Sequence, residues 1–349
     1  MKSIPDSVHF GIWKSSQVKE RFNEWNRLAD QRFGDKPYRW LLVCGDIANM
    51  YDELDHDGIM PATRWACDSF PEWIGRRARS ILGITVNMVK QEVVAGHRYE
   101  EGDVYISFTD LCDICDYDNK HCWLQWRGEV FARTLGVPMG GLLSSHKANL
   151  TLGRRESFFL ELLRILGLIG GGIRFMDDVV LAVAVSSAEE EIMAEQWIQL
   201  VCGSDGYPSP LKLEVEDRAN TYEFLELIVS VMGNRLQVEF HSKFETAAGT
   251  DASRYYSRYP DGDDAMCCED RNLYVTGHLH RIMDGAMHGN SIEMAIVLLA
   301  KEVVSAKWPC ITVKDAIWRI LEASKYKKVW CEKELREVLG KFNCMIGGL

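Results

Sequence analysis

"GGIRFMDDVVLAV", residues 171–183, sets two adjacent carboxylates, Asp177 and Asp178, between two apolar runs. Ile173, Phe175, Val179, Val180, Leu181, Val183 and Val185 are β-branched or bulky residues of the kind that fill a buried strand, so the pattern predicts strand, turn, strand with the aspartates at the turn. Asp is a common turn residue, and a solvated hairpin is the plain reading of such a pair. Two ionised carboxylates side by side nevertheless repel each other unless a cation or a basic residue compensates. What stands elsewhere in the chain decides between the two.

The 349 residues exceed one typical domain, and 47% apolar composition is ample for a packed core. No uncharged apolar run of about 18 residues appears, and the start, "MKSIPDSVHFGIWKSSQ", lacks the apolar stretch of a signal peptide, so a soluble, intracellular protein with no membrane segment is expected. The 11 cysteines are too sparse for a disulfide scaffold and odd in number, which predicts reduced thiols. A net charge of −11 argues against a general nucleic-acid binder, but the charge is uneven. Residues 271–349 hold 12 Lys and Arg against 8 Asp and Glu, net +4, which leaves 28 against 43, net −15, for residues 1–270. A basic C-terminal part fits a module that contacts a phosphate backbone, and solvated helix faces account for it equally well.

Outward from the hairpin, "SSHKANLTLGRRESFFLELLRILG" reads as a long helix ending at Gly167, and "SAEEEIMAEQWIQLVC" as another. "YRWLLVCGD", 38–46, is a short apolar run predicted to be a buried strand with Asp46 at its C-terminal end, preceded by an amphipathic helix over 16–30. Residues 59–95 read as helical, opened by Pro61; 93–125 break the period, with "DVYISF" predicting a hairpin followed by an acidic, cysteine-bearing loop. "LKLEVED" and "YEFLELIVSVMGNRLQVEFHSK" alternate as strands with Gly233-Asn234 as a turn, and helical patterns dominate from about 270. The order predicts an α+β fold with a separate helical lobe.

Three features thus follow one another: a strand ending in Asp46, a glycine-punctuated turn opening a helix at 136–149, and the Asp177–Asp178 hairpin. Two-metal phosphoryl transfer needs carboxylates converging from neighbouring strands, because two Mg²⁺ ions about 3.5–4 Å apart share anionic oxygen ligands. A glycine turn lets backbone approach a nucleotide without Cβ clashes. The stretches resemble motifs A, B and C of the reverse transcriptase palm, and are most similar to those of Penelope-like retroelements. "GDIANMYDELDH" has the motif A pattern of Asp, Tyr five residues later, a hydrophobic residue and His; "GVPMGGLLSSHKANL" resembles motif B; "FLELIVSVMGNRLQVEFHSK" is similar to the Phe-Leu strand pair ending in Lys; "SRYP", 257–260, resembles a later Ser-x-His-Pro. Leu142, Ser145 and Asp55 stand where the family has prolines, and Tyr259 where it has His.

The resemblance implies a right-hand palm, an antiparallel sheet with packed helices over 38–245, followed by a helical thumb-like region over 246–349, with 1–37 a remnant of truncated fingers. It implies an RNA-directed DNA polymerase whose Mg²⁺ (or Mn²⁺) is held by Asp46 and Asp177 with support from Asp178, acting on dNTPs with an RNA template and DNA primer. Tyr51 would be a steric gate against the 2′-hydroxyl. Gly140, Gly141 and Lys212 would line the nucleotide, and Ser144, Asn149 and Lys243 the template and primer; Ser144 or Ser145 would equally serve as a helix N-cap. No counterpart of the fingers' basic residues precedes Asp46, so an N-terminal fingers segment or a basic partner chain is expected as a partner. A working retroelement polymerase would be nuclear. Two rivals remain. A viral-type RNA-dependent RNA polymerase shares the palm, but enzymes selecting ribonucleotides carry a polar residue at the position of Tyr51; a non-enzymatic, palm-derived binding module would explain the acidic charge. Finally, Cys112, Cys115, His121 and Cys122 offer four soft zinc ligands in eleven residues, although His121 and Cys122 are adjacent and the intervening acids favour a solvated loop.

Overall fold

The structure, a computed structural model, describes residues 8–74, 81–138, 140–216, 219–240, 271–285, 289–305, 308 and 311–322. The chain forms two compact units, one of residues 1–13 and 28–219, the other of 14–27 and 220–349.

The first unit is built on a four-stranded antiparallel sheet. Its strands are β1 (Arg39–Ile47), β7 (Ile169–Phe175), β8 (Asp178–Val185) and β9 (Leu213–Val215), in the order β7-β8-β1-β9. β8 is buried along nearly its whole length, as its unbroken Val, Leu and Ala run requires. Val43, Ile47, Val179, Leu181 and Val183 project to one face, where they join Leu152 and Phe159 of helix α4 (Ser144–Ile165) and Trp197 and Ile198 of helix α5 (Ala188–Cys202) in one core. Phe10 enters the same core from the N-terminal segment, which runs along β7: Arg174 N donates to Phe10 O at 2.9 Å and Ile12 N to Arg174 O at 2.8 Å. Gly172 on β7 thereby has a reason. A Cβ on Gly172 would strike the Phe10 ring, so only glycine lets that ring lie against the strand.

Between β1 and α4 the chain departs from the sequence expectation. Helix α2 runs His56–Trp73 and begins at an Asp55 cap whose side chain accepts from Asp57 N, so Pro61 lies inside the helix instead of opening it. The helix does not reach 95. β2 (Gly83–Asn87), β3 (Glu92–Ala95) and β4 (Asp103–Ser107) form a three-stranded sheet in the order β3-β2-β4. The expected acidic loop is helix α3, Phe108–Lys120, started by a capping box in which Ser107 and Asp110 satisfy each other's backbone N–H groups. A two-stranded hairpin, β5 (Trp123–Trp126) and β6 (Glu129–Ala132), precedes the turn into α4.

In the second unit β10 (Thr221–Phe224), β11 (Leu227–Met232) and β12 (Arg235–Phe240) form an antiparallel meander, closed at Gly233-Asn234 as expected. The first part of helix α1 (Ser16–Phe33) packs there, with Asn26 exchanging two hydrogen bonds with the Leu236 backbone at 2.9 and 3.0 Å. Helices α6 (Arg271–Gly285), α7 (Gly289–Ser305) and α8 (Ile311–Glu322) follow, matching the helical C-terminal pattern. Among the described residues no helix is long and apolar enough to cross a membrane. The 245/246 boundary, "SRYP" with Tyr259, and Lys243 lie outside the described residues.

Candidate active site

The register of the first unit's sheet assembles the carboxylates. Asp46, one residue from the end of β1, lies opposite Asp178 on β8 and opposite Glu214 on β9. Directly paired residues of antiparallel strands share a face, so these three acids form a row across the sheet on the side away from Val43, Val179 and Leu181. The pairing continues one step further: Ile47 N donates to Asp177 O at 2.9 Å, which sets Asp177 at the hairpin tip beside Asp46. Asp46 is exposed, and Asp177 and Asp178 are half-buried.

The electrostatics report crowding of like charge. The Asp46 carboxyl is held above the ordinary carboxylate range, by partial burial first and then by the charges of Asp177 and Glu214. The Tyr51 phenol is pushed up by burial and by Asp177, with Arg174 pulling the other way. The Cys44 thiol, two residues before Asp46 on the same face, is pushed up by burial, Glu216 and Asp178. Hard anionic oxygens of this kind suit a hard divalent cation such as Mg²⁺, which is commonly held by one or two carboxylates together with substrate phosphates. Among the described residues no three His, Cys, Asp or Glu side chains gather closely enough to hold a metal ion by themselves. The residues present therefore fit only that one-or-two-carboxylate share, from Asp46 with its neighbours Asp177 and Asp178.

Tyr51 stands at the same tip. Its hydroxyl donates to Met176 Sδ at 3.0 Å, and its ring packs half-buried against the core. The segment after β1 and the turn before α4 are laced together: Gly136 N donates to Leu54 O at 2.9 Å, Val137 N to Tyr51 O at 2.7 Å, and His56 Nε2 lies 2.6 Å from Gly136 O. Gly136 has φ +73°, and a Cβ there would strike the Asp52 carbonyl. Gly140 and Gly141 continue this turn, and Met139 lies outside the described residues. Ser144 is buried at the first position of α4, but the N-cap is Leu143 with no side-chain cap bond, which corrects the expectation of a serine cap. Asn149 is half-buried on α4 and accepts from Arg174 Nη1 at 2.9 Å. Lys212 is exposed, two residues before Glu214, and its carbonyl accepts from Ala48 N at 3.0 Å.

The four soft ligands are not gathered. Cys112 and Cys115 sit one turn apart on α3 near Cys67 of α2, whose thiol is pushed up to about 12 by burial and by Cys112. Cys67 and Cys115 line an apolar cavity of about 550 Å³ with Phe70, Trp73 and Phe108. His121 is the C-cap of α3, with Nδ1 2.7 Å from Tyr117 O and its ring stacked on Tyr117 at 3.9 Å. Cys122 immediately precedes β5.

Two groups escaped the sequence reading. Glu214 was legible in principle, since the apolar Leu211, Leu213 and Val215 leave Lys212 and Glu214 on the other face. Arg174, a charge in an apolar strand, signals a buried partner. That partner, Glu156, lies eighteen residues away on α4 and was not.

No protein-family model matches the sequence, and no curated protein matches it. Solved structures do. Telomerase from Candida albicans, in complex with a TWJ fragment of telomeric RNA, superposes with a TM-score of 0.59 at 13% identity, over 97% of this chain and 54% of that one. Apo telomerase from Candida tropicalis gives 0.51 at 13% identity, over 92% and 50%. The chain shares the fold of telomerase. It spans about half the length of the telomerase chains it matches.

Proposed function

We propose that the chain is an RNA-directed DNA polymerase of the reverse transcriptase type, with the four-stranded sheet as its palm and the C-terminal helices as a thumb-like lobe. The observation that carries this reading is the row Asp178–Asp46–Glu214 with Asp177 at the adjoining tip, where partial burial first, and then the charges of Asp177 and Glu214, hold the Asp46 carboxyl above its ordinary range. The fold shared with telomerase, itself a reverse transcriptase, supports it, and the RNA in the C. albicans complex supports an RNA partner.

Asp46 and Asp177 would hold Mg²⁺ or Mn²⁺, with Asp178 beside them. When bound, such an ion supplies charge neutralisation at the transferring phosphate and activates the attacking oxygen. The primer 3′-hydroxyl attacks the α-phosphate of a dNTP and pyrophosphate leaves. The chain's own contribution would be placement: by the motif resemblance the Tyr51 ring would wall off the 2′ position, Gly140 and Gly141 would let backbone approach the nucleotide with Lys212 beside it, and Ser144, Asn149 and Lys243 would belong to the template and primer side. The net −15 charge of residues 1–270 works against holding a triphosphate, which favours a basic segment or partner chain completing the clamp. The motif A and B patterns favour a Penelope-like retroelement origin and a nuclear site of action.

Primer extension on an RNA template tests the reading. Expected are dNTP incorporation that is lost in Asp177→Asn, and increased rNTP incorporation in Tyr51→Val. Hybrid binding without extension at any Mg²⁺ or Mn²⁺ concentration, with a basic partner supplied, would instead make the chain a palm-derived binding module.

A further inference from the structure

Arg174 is 1% exposed and its partner Glu156 is not exposed at all. A buried ion pair of this kind gives little net stability, because desolvating two charges offsets most of their attraction. Its hydrogen bonds show what else it does. Arg174 Nε donates to Glu156 Oε1 and Nη2 to Oε2 at 3.4 Å, while Phe10 N donates to Glu156 Oε2 at 3.0 Å and the Tyr207 hydroxyl to Oε1 at 3.4 Å. So anchored, Arg174 Nη1 reaches two further acceptors, Asn149 Oδ1 at 2.9 Å and Met176 O at 2.8 Å. Asn149 and Glu156 are seven residues apart on α4, two turns and hence one face.

Met176 precedes Asp177 and has φ +57°, a left-handed backbone that costs a side-chain-bearing residue about 1 kcal/mol or more. Nothing in its own side chain favours it. Two contacts hold it: Arg174 on its carbonyl and the Tyr51 hydroxyl on its sulfur. We infer that Arg174 is a positioning residue, a guanidinium clamped in the core by Glu156 that fixes the Met176–Asp177 turn and the Asn149 side chain together. It would thereby set the tip carboxylate against the strand-borne Asp46. This deepens the polymerase reading and rests on it only for the consequence to catalysis.

A lysine discriminates positioning from mere charge balance. Arg174→Lys keeps the ion pair with Glu156, but a single ammonium cannot serve Glu156, Asn149 and Met176 O in the planar fork that arginine provides. Hydrogen exchange at the Ile47 amide, which donates to Asp177 O, reads the turn directly and needs no activity. The expected result is exchange faster by at least about tenfold at Ile47 in Arg174→Lys, as loss of a charge-assisted bond implies, with the Leu181 and Val183 amides unchanged. The apolar pair Glu156→Leu/Arg174→Met, which restores packing without the fork, should show the same loosening if the lysine variant does not fold. Mn²⁺ affinity should fall in parallel. Unchanged Ile47 exchange in the folded variants would overturn the inference. Faster exchange in a protein whose parent neither binds Mn²⁺ nor extends primers would uphold the positioning role and fail the polymerase reading alone.

Discussion

Two hairpins of the first unit are closed by two-residue turns and differ in almost everything else. β7–β8 turns at Met176–Asp177 and β5–β6 at Arg127–Gly128, and both turns use left-handed residues, as tight hairpins require. The β8 side chains are nearly all buried and the first turn is tied to a core arginine. All eight strand residues of β5–β6 are exposed, including Trp123, Trp126 and Phe131, and Arg127 stacks over the Trp126 ring at 5.7 Å. A two-residue turn with left-handed backbone is thus fixed in one place by its surroundings and in the other by little beyond its own ladder. The carboxylates sit on the fixed one, which is where chemistry needing sub-ångström placement belongs.

Breaking the support of the first hairpin should have the largest effect. Glu156→Leu alone strands the Arg174 charge in the core and should cost about 3–5 kcal/mol in chemical denaturation. Gly172→Ala drives a methyl into the Phe10 ring and should cost about 1–3 kcal/mol. Removing charge at the tip should act in the opposite direction. Because partial burial first, and then the charges of Asp177 and Glu214, raise the folded-state value of Asp46, its ionised form weakens the fold at neutral pH, and the penalty is relieved as pH falls through that raised value toward 3.8. Asp177→Asn should therefore raise the melting temperature slightly at pH 7, and the gain should vanish near pH 4; a loss at pH 7 would mean the aspartate is stabilising. The exposed hairpin should respond least. Trp123→Ser with Phe131→Ser should change stability by no more than about 0.5 kcal/mol, and a larger loss would show that those rings are covered in solution.

The sequence carried the strand ending at Asp46, the hairpin of Asp177 and Asp178 and the helix of Asn149, because each has its own periodicity and stop signals. It misled between Trp73 and Trp126, where short strands lack enough period to register and a capping box, Ser107 to Asp110, stood in a stretch too acidic to suggest a helix. The carboxylate row was half legible. That Asp46 faces Asp178 follows from strand register, which no single strand encodes, and Glu214 joins only because β9 pairs beside β1. The partner that holds Arg174 comes from another element, so only the folded chain reveals it.

The central claim is that the acids at this tip hold a divalent cation. Calorimetric titration of Mn²⁺ into the parent chain, Asp46→Asn and Asp177→Asn tests it most directly. Binding in the millimolar range or tighter in the parent, sharply weakened in each variant, is the predicted result; identical titrations in all three proteins would contradict it.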